Sequence, residues 1–326
     1  MTTISLPLSS VQFDSPIAAA VSEGLLSRPK WLPSWLFYDA AGSRLFDQIT
    51  ELPEYYVTRT ERTILAAKAG EIVERAAREQ VLRIVELGAG SCDKTRLLLR
   101  AAVDRQDTVI YEPVDVSASA LEEAQERLEN EISSVLVSRR VVDYTRDFAL
   151  EPAYPGERRL VLYIGSSIGN FEPGEALQLL KSVRAALAPG DAMLLGVDMV
   201  KDRDMLLKAY DDAAGVTAAF NRNILARINR ELGANFDPEA FTHRAVWNRS
   251  RARIEMHLGN LLPQTVKIPA LDLRIEFEAG ETIHTENSYK YQPGQAESLL
   301  RSAGFAPEQT WMDENAWFSV CLARAE

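Results

Sequence analysis

The chain contains a strand-like segment that runs directly into a glycine-containing turn and then into a helix-like segment. The turn reads IVELGAGSC from residue 84 to residue 92, and KTRLLLRAAV follows it closely. This order is typical of the nucleotide-binding turn of a parallel sheet. Further apolar strand-like segments alternate with helix-like ones, and they read TVIYEPVDV, SSVLVSRRVVDY, RLVLYIGSSIGNF and AMLLGVDMV. The five units predict an α/β fold with a doubly wound parallel sheet.

The glycine turn differs from a dinucleotide-binding turn because Asp93 stands where a third glycine is usual. The next strand ends in Glu112 and Asp115, and an acidic residue there can accept both ribose hydroxyls of a nucleoside. Asp143 and Tyr144 end the third strand and suit an adenine amino group and a stacking surface. These residues predict an adenosine site without a pyrophosphate site, which fits S-adenosylmethionine better than NAD. The alternative is that they are solvated ends of ordinary turns.

A second glycine-containing loop, YIGSSIGNF, leaves the fourth predicted strand. Ligands of doubly wound sheets bind beyond the carboxyl ends of the strands. Gly165 and Gly169 allow close approach of the backbone, and Ser166, Ser167 and Asn170 offer neutral polar contacts. A Gly-Asn pair alone is more often a simple turn, but its place after the fourth strand favours a binding role.

The composition limits the kinds of partner. The chain has 47 acidic and 36 basic residues and a net charge of −11, which opposes binding to nucleic acid and favours a small-molecule substrate. Cys92 and Cys321 are too few for a disulfide framework or a thiolate metal cluster. His243, His257 and His284 lack the spacing of metal ligands, so we expect no metal site.

The sequence also indicates a location. No segment approaches the about 18 uninterrupted apolar residues that a membrane span requires. The N-terminal MTTISLPLSSVQFDS has neither the basic nor the apolar region of a secretory signal. No exposed heptad or long apolar edge is evident. We therefore expect a cytoplasmic monomer that does not bind membranes.

The alternation of strands and helices ends after residue 201. A helical stretch follows, strand-like segments appear from about residue 241 to residue 290, and the last segment reads as a helix and two strands. A methyltransferase-type Rossmann sheet adds its last antiparallel strand in this way. We therefore predict a Rossmann-like class I methyltransferase sheet with an inserted α+β substrate-binding domain. Residues 62–200 with 290–326 form the S-adenosylmethionine-binding methyltransferase domain, and residues 1–61 with 201–289 form the substrate-binding domain.

The N-terminal part carries a weaker pattern. Its first 60 residues read as loop-rich and aromatic. Residues 60–80, TERTILAAKAGEIVERAAREQ, predict an amphipathic helix that is capped by Thr60 or by an earlier threonine.

Several stretches together resemble one enzyme family. LPEYYVTRTE, ELGAGSCDKTRLLL, PVDVSASAL, YIGSSIGNF, GVDMVKD, AYDDAAGVTAAFNRN and TENSYKY resemble the histidine Nα-methyltransferases of ergothioneine biosynthesis. The resemblance runs from about Trp35 to the C-terminus. ELGAG is common to methyltransferases, whereas AYDDAAGVTAAFNRN and YIGSSIGNF are specific to this family. The resemblance implies stepwise conversion of L-histidine to Nα,Nα,Nα-trimethyl-L-histidine (hercynine), with S-adenosylmethionine as the methyl donor and without a metal.

The resemblance also implies roles for individual residues. It implies that the cofactor is contacted by Gly88, Gly90, Lys94, Asp115, Asp143 and Tyr144. It implies that the α-amino and carboxylate groups of the substrate are held by Tyr55, Asn170 and Tyr210, with Tyr55 and Asn170 holding the reacting amine. It places around the rest of the substrate the backbone of Gly165, the closing residues Tyr38 and Phe46, the packing residue Met256, and the imidazole-binding pair Glu286 and Ser288.

The pair Glu286 and Ser288 separates histidine from other substrates. A carboxylate and a hydroxyl can satisfy both nitrogens of an imidazole, whereas an indole has one donor and no acceptor. By itself, Glu286 would read as a solvated strand end, and Met256 as core packing. Three alternatives stay open: methyl transfer to another aromatic amino acid or amine such as tryptophan, a protein that binds S-adenosylmethionine or a metabolite without turnover, and an NAD-dependent oxidoreductase, against which the missing third glycine argues.

Overall fold

The computed structural model describes residues 15–90, 92–145, 148–150 and 154–326. Of the N-terminal stretch MTTISLPLSSVQFDS, residues 1–14 lie outside the described residues, so the prediction that it is not a secretory signal falls almost wholly outside them. The described residues form nine α-helices: α1 Pro16–Leu26, α2 Ala40–Glu51, α3 Tyr56–Ala77, α4 Thr95–Gln106, α5 Ala118–Glu131, α6 Pro173–Ala185, α7 Arg203–Tyr210, α8 Val216–Leu232 and α9 Gln295–Ser302. None of these helices is long and apolar enough to cross a membrane.

The same residues form fourteen strands. They are β1 Lys30–Trp31, β2 Val81–Leu87, β3 Val109–Asp115, β4 Val135–Val137, β5 Arg140–Val141, β6 Glu157–Tyr163, β7 Ala192–Asp198, β8 Phe241–Asn248, β9 Arg253–Asn260, β10 Gln264–Ile268, β11 Leu273–Phe277, β12 Thr282–Tyr289, β13 Phe305–Met312 and β14 Phe318–Ala325.

The large sheet has the strand order β13-β14-β7-β6-β2-β3-β4, with β5 paired to β3. The strands from β7 to β4 run parallel, and β14 is antiparallel to both of its neighbours. Every residue of β7 and β14 is buried, as expected for strands that are covered on both faces. Helices α3, α4 and α5 cover one face, and α6 and α9 cover the other. This arrangement confirms the predicted Rossmann-like class I methyltransferase sheet.

The strand order reverses at β2. This strand pairs with β3 on one side and with β6 on the other. In such a sheet the connections from the two neighbouring strands leave in opposite directions, and a crevice opens between them at the carboxyl ends. The glycine turn after β2 and the glycine loop after β6 therefore meet at the same crevice.

A second, smaller sheet has the order β1-β12-β9-β8, and β10 pairs with β11 as a separate hairpin. The loop after β6 lies directly against β12, because a Cβ atom at Gly169 would lie 2.8 Å from the carbonyl oxygen of Tyr289. A glycine at this position lets the second sheet close the crevice. Helix α3 runs through the predicted domain boundary between residues 61 and 62, and the division into two domains stays a prediction.

The structure corrects the description of the N-terminal part. Residues 15–60 hold α1, α2 and the start of α3, so they are not loop-rich. The Asp39 side chain caps α2 by accepting the N–H of Gly42 at 2.7 Å, a signal that the aromatic composition obscures. Helix α3 begins at Tyr56, and Thr60 does not cap it but donates to the Tyr56 carbonyl oxygen within the helix, at 2.9 Å.

Two further elements differ from the sequence pattern. The predicted third strand is two short strands, β4 and β5. The helical stretch after residue 201 is two helices, because the chain breaks between α7 and α8 and Gly215 takes a φ of +75° there. This break ends α7 at Tyr210.

Candidate active site

A cavity of about 1390 Å³ lies at the crevice. Its walls include both glycine loops, the start of α4, parts of α2 and α5, and the end of β12. A narrow compartment of about 50 Å³ adjoins it. The two spaces share Tyr38, Phe46, Tyr55, Gly165, Ser167, Asn170 and Glu286 as lining residues. The residues predicted to contact the cofactor line the large cavity, and those predicted to contact the substrate line the compartment.

The glycine turn is built around Asp115. The backbone N–H of Gly90 donates to the Asp115 carboxylate at 3.1 Å, and the N–H of Ser117 donates to its other oxygen at 2.9 Å. Gly88 has a φ of +67°, and a Cβ atom there would lie 3.1 Å from the Tyr144 hydroxyl. The turn therefore depends on the absence of a side chain at Gly88. Burial raises the pKa of Asp115.

The wall beyond β3 and β5 supplies an aromatic surface and a second acid. Tyr144 packs edge-to-face on Tyr163 with ring centroids 6.0 Å apart. Burial raises the pKa of Tyr144 to about 12. Asp143 lines the same cavity and accepts the N–H and hydroxyl of Thr145 at 3.0 and 2.6 Å. Glu112, the other acid near the end of this strand, does not face the cavity: its carboxylate is buried against Arg83 at 2.8 Å, so of the two acids on β3 only Asp115 lines the cavity.

These walls fit S-adenosylmethionine. The turn at Gly88 leaves room for a ligand close to the backbone. Asp115 and Asp143 present carboxylates near an aromatic side chain, as a nucleoside requires. Lys94 adds one positive charge to the same cavity, which suits the carboxylate end of the cofactor.

Lys94 is held by Glu61, which was not predicted from the sequence to belong to the site. Its ammonium forms an ion pair with the carboxylate of Glu61, whose side chain is completely buried. The Glu61 oxygens also accept the backbone N–H of Gly165 at 3.0 and 2.9 Å. Because the N–H of Gly165 is used in this way, the backbone group that Gly165 can offer to an amine is its carbonyl oxygen. An acidic residue on the apolar face of α3, close to Ile64 and Leu65, was the available signal.

Aromatic rings from separate elements enclose the compartment. Phe46 on α2 packs between Tyr38 and Tyr55, with ring centroids 5.8 and 6.3 Å away. Tyr55 also packs edge-to-face on Tyr210 at 6.2 Å. Met256 on β9 lines the compartment and is 1% exposed. A flat, partly polar ring is the kind of group that such walls accept.

Four polar side-chain groups of the compartment have no hydrogen-bond partner in the described part of the chain. No residue in the described part of the chain forms a hydrogen bond with the Tyr38 or Tyr55 hydroxyl, the Asn170 side-chain amide or the Glu286 carboxylate. Burial raises the pKa of Glu286 to about 7, although the charge of Lys290 opposes the increase. Tyr38, Asn170 and Glu286 are only partly buried, and all four groups also face the large cavity, so they remain available to a ligand. The compartment is therefore arranged for a ligand that carries donors and acceptors of its own.

Ser288 and Tyr210, in contrast, belong to a buried network. Their hydroxyl oxygens are 2.7 Å apart, and the ammonium of Lys290 lies 2.8 Å from each of them. Lys290 also pairs with Asp198 at 2.8 Å, and both side chains are completely buried. Asp198 in turn accepts the Tyr56 hydroxyl at 2.8 Å and pairs with Lys201. Neither Lys290 nor Asp198 was predicted from the sequence.

The loop that carries Asn170 is anchored on both sides. The Ser166 hydroxyl oxygen accepts the N–H of Asp198 at 2.9 Å, and the residue has a φ of +60°. Beyond the loop, Glu172 accepts the Tyr289 hydroxyl at 2.6 Å. These contacts fix the loop against β7 and β12, so Ser166 supports the loop while Ser167 and Asn170 line both spaces.

Comparison with known proteins covers nearly the whole chain. A family model described as a histidine-specific, S-adenosylmethionine-dependent methyltransferase matches residues 17–325. A histidine Nα-methyltransferase of Mycolicibacterium smegmatis is 45% identical over 303 residues, which are 93% of each chain. Ergothioneine biosynthesis protein 1 of Neurospora crassa is 29% identical over 91% of this chain and 33% of its own length. An L-tryptophan methyltransferase of Psilocybe serbica is 28% identical over 95% of this chain and 93% of its own.

Proposed function

This chain belongs to the family of histidine-specific, S-adenosylmethionine-dependent methyltransferases, and we propose that it methylates the α-amino nitrogen of L-histidine. Three successive transfers give Nα,Nα,Nα-trimethyl-L-histidine, hercynine, in ergothioneine biosynthesis. The observation that carries the choice of histidine is the Glu286 carboxylate, which forms no hydrogen bond with any described residue and shares the compartment with Ser288.

S-adenosylmethionine supplies a methyl group on a positively charged sulfur. Gly88, Gly90, Asp115, Asp143 and Tyr144 are the residues that would hold its adenosine part. Lys94 would bind its carboxylate. The ion pair with Glu61 keeps the Lys94 ammonium on the cavity wall, so that only part of its hydrogen-bonding capacity is used within the protein.

The imidazole of histidine would lie between Glu286, Ser288 and Met256. A neutral imidazole has one N–H donor and one acceptor nitrogen. Glu286 can accept from the first, and a hydroxyl can donate to the second. An indole would leave the hydroxyl side without an acceptor, and a buried group without its partner costs about 1–3 kcal/mol. This mismatch argues against tryptophan, on which the Psilocybe serbica relative acts according to its name.

The reacting amine must release its proton to water and turn its lone pair toward the methyl group. Tyr55 and Asn170 are the polar groups that would hold it, together with the carbonyl oxygen of Gly165. Burial raises the pKa of Tyr55 well above its usual value, so the hydroxyl stays protonated and orients the nitrogen rather than acting as an anionic base. Orientation of this kind can supply roughly 7–11 kcal/mol of the barrier.

Successive methylation makes a further demand on these residues. The nitrogen grows with each transfer and ends with a permanent positive charge. Neutral groups such as the Asn170 amide and the Ser167 hydroxyl can accommodate this change without a tight carboxylate cage. Tyr210 would hold the substrate carboxylate, and Tyr38 and Phe46 would close the compartment from the N-terminal side.

The direct test is to incubate the protein with S-adenosylmethionine and an equimolar mixture of the twenty amino acids, and to follow their masses. We expect a gain of three methyl groups on histidine alone. Methylation of tryptophan or tyrosine would overturn the assignment of Glu286 and Ser288. No transfer to any amino acid would favour a non-catalytic binding protein or a larger amine substrate.

We also propose a location, an oligomeric state and a division into domains for this enzyme. The enzyme works as a cytoplasmic monomer that binds neither nucleic acid nor membranes, and residues 62–200 with 290–326 and residues 1–61 with 201–289 form its two domains. Both cysteines, Cys92 and Cys321, are free thiols, which suits a reducing compartment. Light scattering coupled to gel filtration tests the monomer, and a dimer mass would contradict it.

A further inference from the structure

Strand β12 contains a β-bulge at Thr285. Before the bulge, His284 pairs with His257 of β9. After it, Glu286 pairs with the next residue along β9, Met256, so Thr285 is an extra residue without a partner of its own. Side chains alternate between the two faces of a strand, and an extra residue moves every later side chain to the opposite face. The direction of the Glu286 side chain therefore depends on this single residue.

The bulge brings both proposed imidazole ligands to the compartment. Ile283, before the bulge, pairs with Leu258 and belongs to the buried core. Ser288, after it, pairs with Ile254, which lies on the same face of β9 as Leu258 because side chains there alternate. In a regular strand Glu286 and Ser288 would lie on the face opposite to Ile283. With the bulge they lie on the same face as Ile283, where they line the compartment.

The bulge is held by a buried amide on α8. The Thr285 hydroxyl lies 2.7 Å from Oδ1 of Asn221 and 3.1 Å from the carbonyl oxygen of Met256. Both oxygens accept and the hydroxyl has one proton to donate, which the shorter contact assigns to Asn221. Thr285 is 1% exposed and Asn221 is completely buried. The hydrogen bond between them therefore lies out of reach of water.

The orientation of the Asn221 amide follows from its other partners. Its Nδ2 lies 3.2 Å from the carbonyl oxygen of His257 and 2.9 Å from Nδ1 of His243. Nε2 of His243 lies 2.7 Å from the carbonyl oxygen of Tyr210, which can only accept, so Nε2 carries the proton and Nδ1 is an acceptor. Burial lowers the pKa of His243, which favours the neutral ring. Both N–H groups of the amide are thus used, and its oxygen must face Thr285.

We propose that Asn221 and Thr285 are positioning residues, which hold the bulge and so turn the two imidazole ligands toward the substrate. The proposal rests on the proposed function and deepens it, since it concerns the residues that set the specificity for histidine. Asn221 lines neither the cavity nor the compartment, so it can act on the substrate only through other residues. The stretch AYDDAAGVTAAFNRN then has a second role besides supplying Tyr210, because it also supplies Asn221.

The experiment is a double-mutant cycle on the specificity constant, kcat/KM, for L-histidine, which can be measured without saturation. The cycle compares the wild-type protein, Thr285→Val, Glu286→Ala and the double variant. Valine keeps the shape of threonine but cannot donate to Asn221, so we expect Thr285→Val to lower kcat/KM about 10-fold. In the Glu286→Ala background the same substitution should lower it less than about 3-fold, because a group that the bulge aims is already absent. The dissociation constant for S-adenosylhomocysteine should stay within about 2-fold throughout.

Further variants control for a loss of packing. Thr285→Ser keeps the hydroxyl and should hold kcat/KM within about 3-fold of the wild-type value. Thr282→Val makes the same substitution three residues earlier on β12, at a residue that lines neither space, and should change kcat/KM less than about 2-fold. Asn221→Leu removes the amide and should reproduce the pattern of Thr285→Val. If either variant fails to fold, Thr285→Ala, which leaves the Asn221 amide in place, carries the cycle.

Two outcomes would overturn the inference. One is an equal loss of kcat/KM from Thr285→Val in the presence and in the absence of the Glu286 carboxylate. The other is a Thr285→Val variant that is as active toward histidine as Thr282→Val. Failure of the proposed function is distinct, because the wild-type protein would then not methylate histidine, and the inference would fall with it.

Discussion

The carboxylate of Glu61 accepts the backbone N–H of Gly165 with both of its oxygens, at 3.0 and 2.9 Å. The same carboxylate pairs with Lys94, and its side chain is completely buried. One residue of α3 therefore joins the cofactor wall to the loop that lies at the amine end of the substrate compartment. A charged group in this position is stable only while its partners remain.

Removal of the Glu61 carboxylate should destabilise the protein strongly. Glu61→Ala leaves the Lys94 ammonium unpaired and the Gly165 N–H without an acceptor, so we expect a loss of about 3–5 kcal/mol in the free energy of unfolding. Glu61→Gln keeps an acceptor for Gly165 and should lose less. Urea denaturation measures both. The control is the more exposed Glu71 on α3, which pairs with Lys68 and Arg75 and accepts the indole N–H of Trp311 at 3.2 Å. Glu71→Ala should be destabilised much less than Glu61→Ala.

An outcome in which Glu61→Ala and Glu71→Ala unfold at the same urea concentration would contradict this role for Glu61. Gly196 on β7 offers an independent check, because it lies directly against the Glu61 carboxylate. A Cβ atom there would overlap with a Glu61 carboxylate oxygen. Gly196→Ala should therefore displace Glu61 and destabilise the protein as well, by about 1–3 kcal/mol for an overpacked site.

A side chain at Gly88 should weaken cofactor binding. In Gly88→Ala the new methyl group would lie 3.1 Å from the Tyr144 hydroxyl, on a backbone with a φ of +67°. The turn must shift, and we expect the affinity for S-adenosylmethionine to fall about 10-fold or more in calorimetry. Gly174→Ala is the matched control, since it lies in α6 with open space around it. Equal affinities of the two variants would show that the turn does not contact the cofactor.

The sequence was informative wherever the determinants are local. The order of strands and helices predicted the sheet, because each strand is a continuous apolar segment that is followed by a covering helix. The residues at the ends of β2, β3 and β6 were also predictable, because parallel strands end at the same edge of a sheet. Residues 286 and 288 alternate along β12, and Lys290 directly follows the last residue of that strand, so its position on the side of Glu286 and Ser288 was readable from the sequence.

The features of the site that could not be predicted from the sequence depend on contacts between distant segments of the chain. Asp198 and Lys290 are 92 positions apart in the chain and meet only when the second sheet closes on the first. The sequence also did not decide between Glu112 and Asp115, since nothing in VIYEPVD shows that Arg83 on the neighbouring strand binds Glu112 and leaves Asp115. Local patterns place side chains on a face, whereas their partners are decided by tertiary packing.

Substitution of Glu286 should separate substrate binding from cofactor binding. Glu286→Ala removes the group that would accept the imidazole N–H, and a hydrogen bond to a charged group contributes about 1.5–3 kcal/mol. We expect the affinity for histidine to fall by about 10- to 100-fold, while the affinity for S-adenosylmethionine stays within about 2-fold. Calorimetry measures both ligands. Equal loss of the two affinities would remove Glu286 from the imidazole site.

Glu286 should also make the stability of the ligand-free protein depend on pH. Burial raises its pKa from an ordinary value of 4.5 to about 7. Between these two values the folded protein holds a proton that the unfolded chain has released, so this contribution to stability is complete below pH 4.5 and is lost as the pH rises through about 7. The full shift corresponds to at most about 3 kcal/mol.

The comparison of wild-type protein with Glu286→Gln isolates this effect, because the other titrating groups, such as the buried Glu86 with a pKa of about 7, are common to both proteins. Glutamine has no proton to lose. We expect the variant to gain stability relative to the wild-type protein as the pH rises from about 5 to about 8, when both are unfolded with urea without ligand. A constant difference across this interval would mean that Glu286 is ionised throughout. The compartment would then stabilise the charge without a ligand.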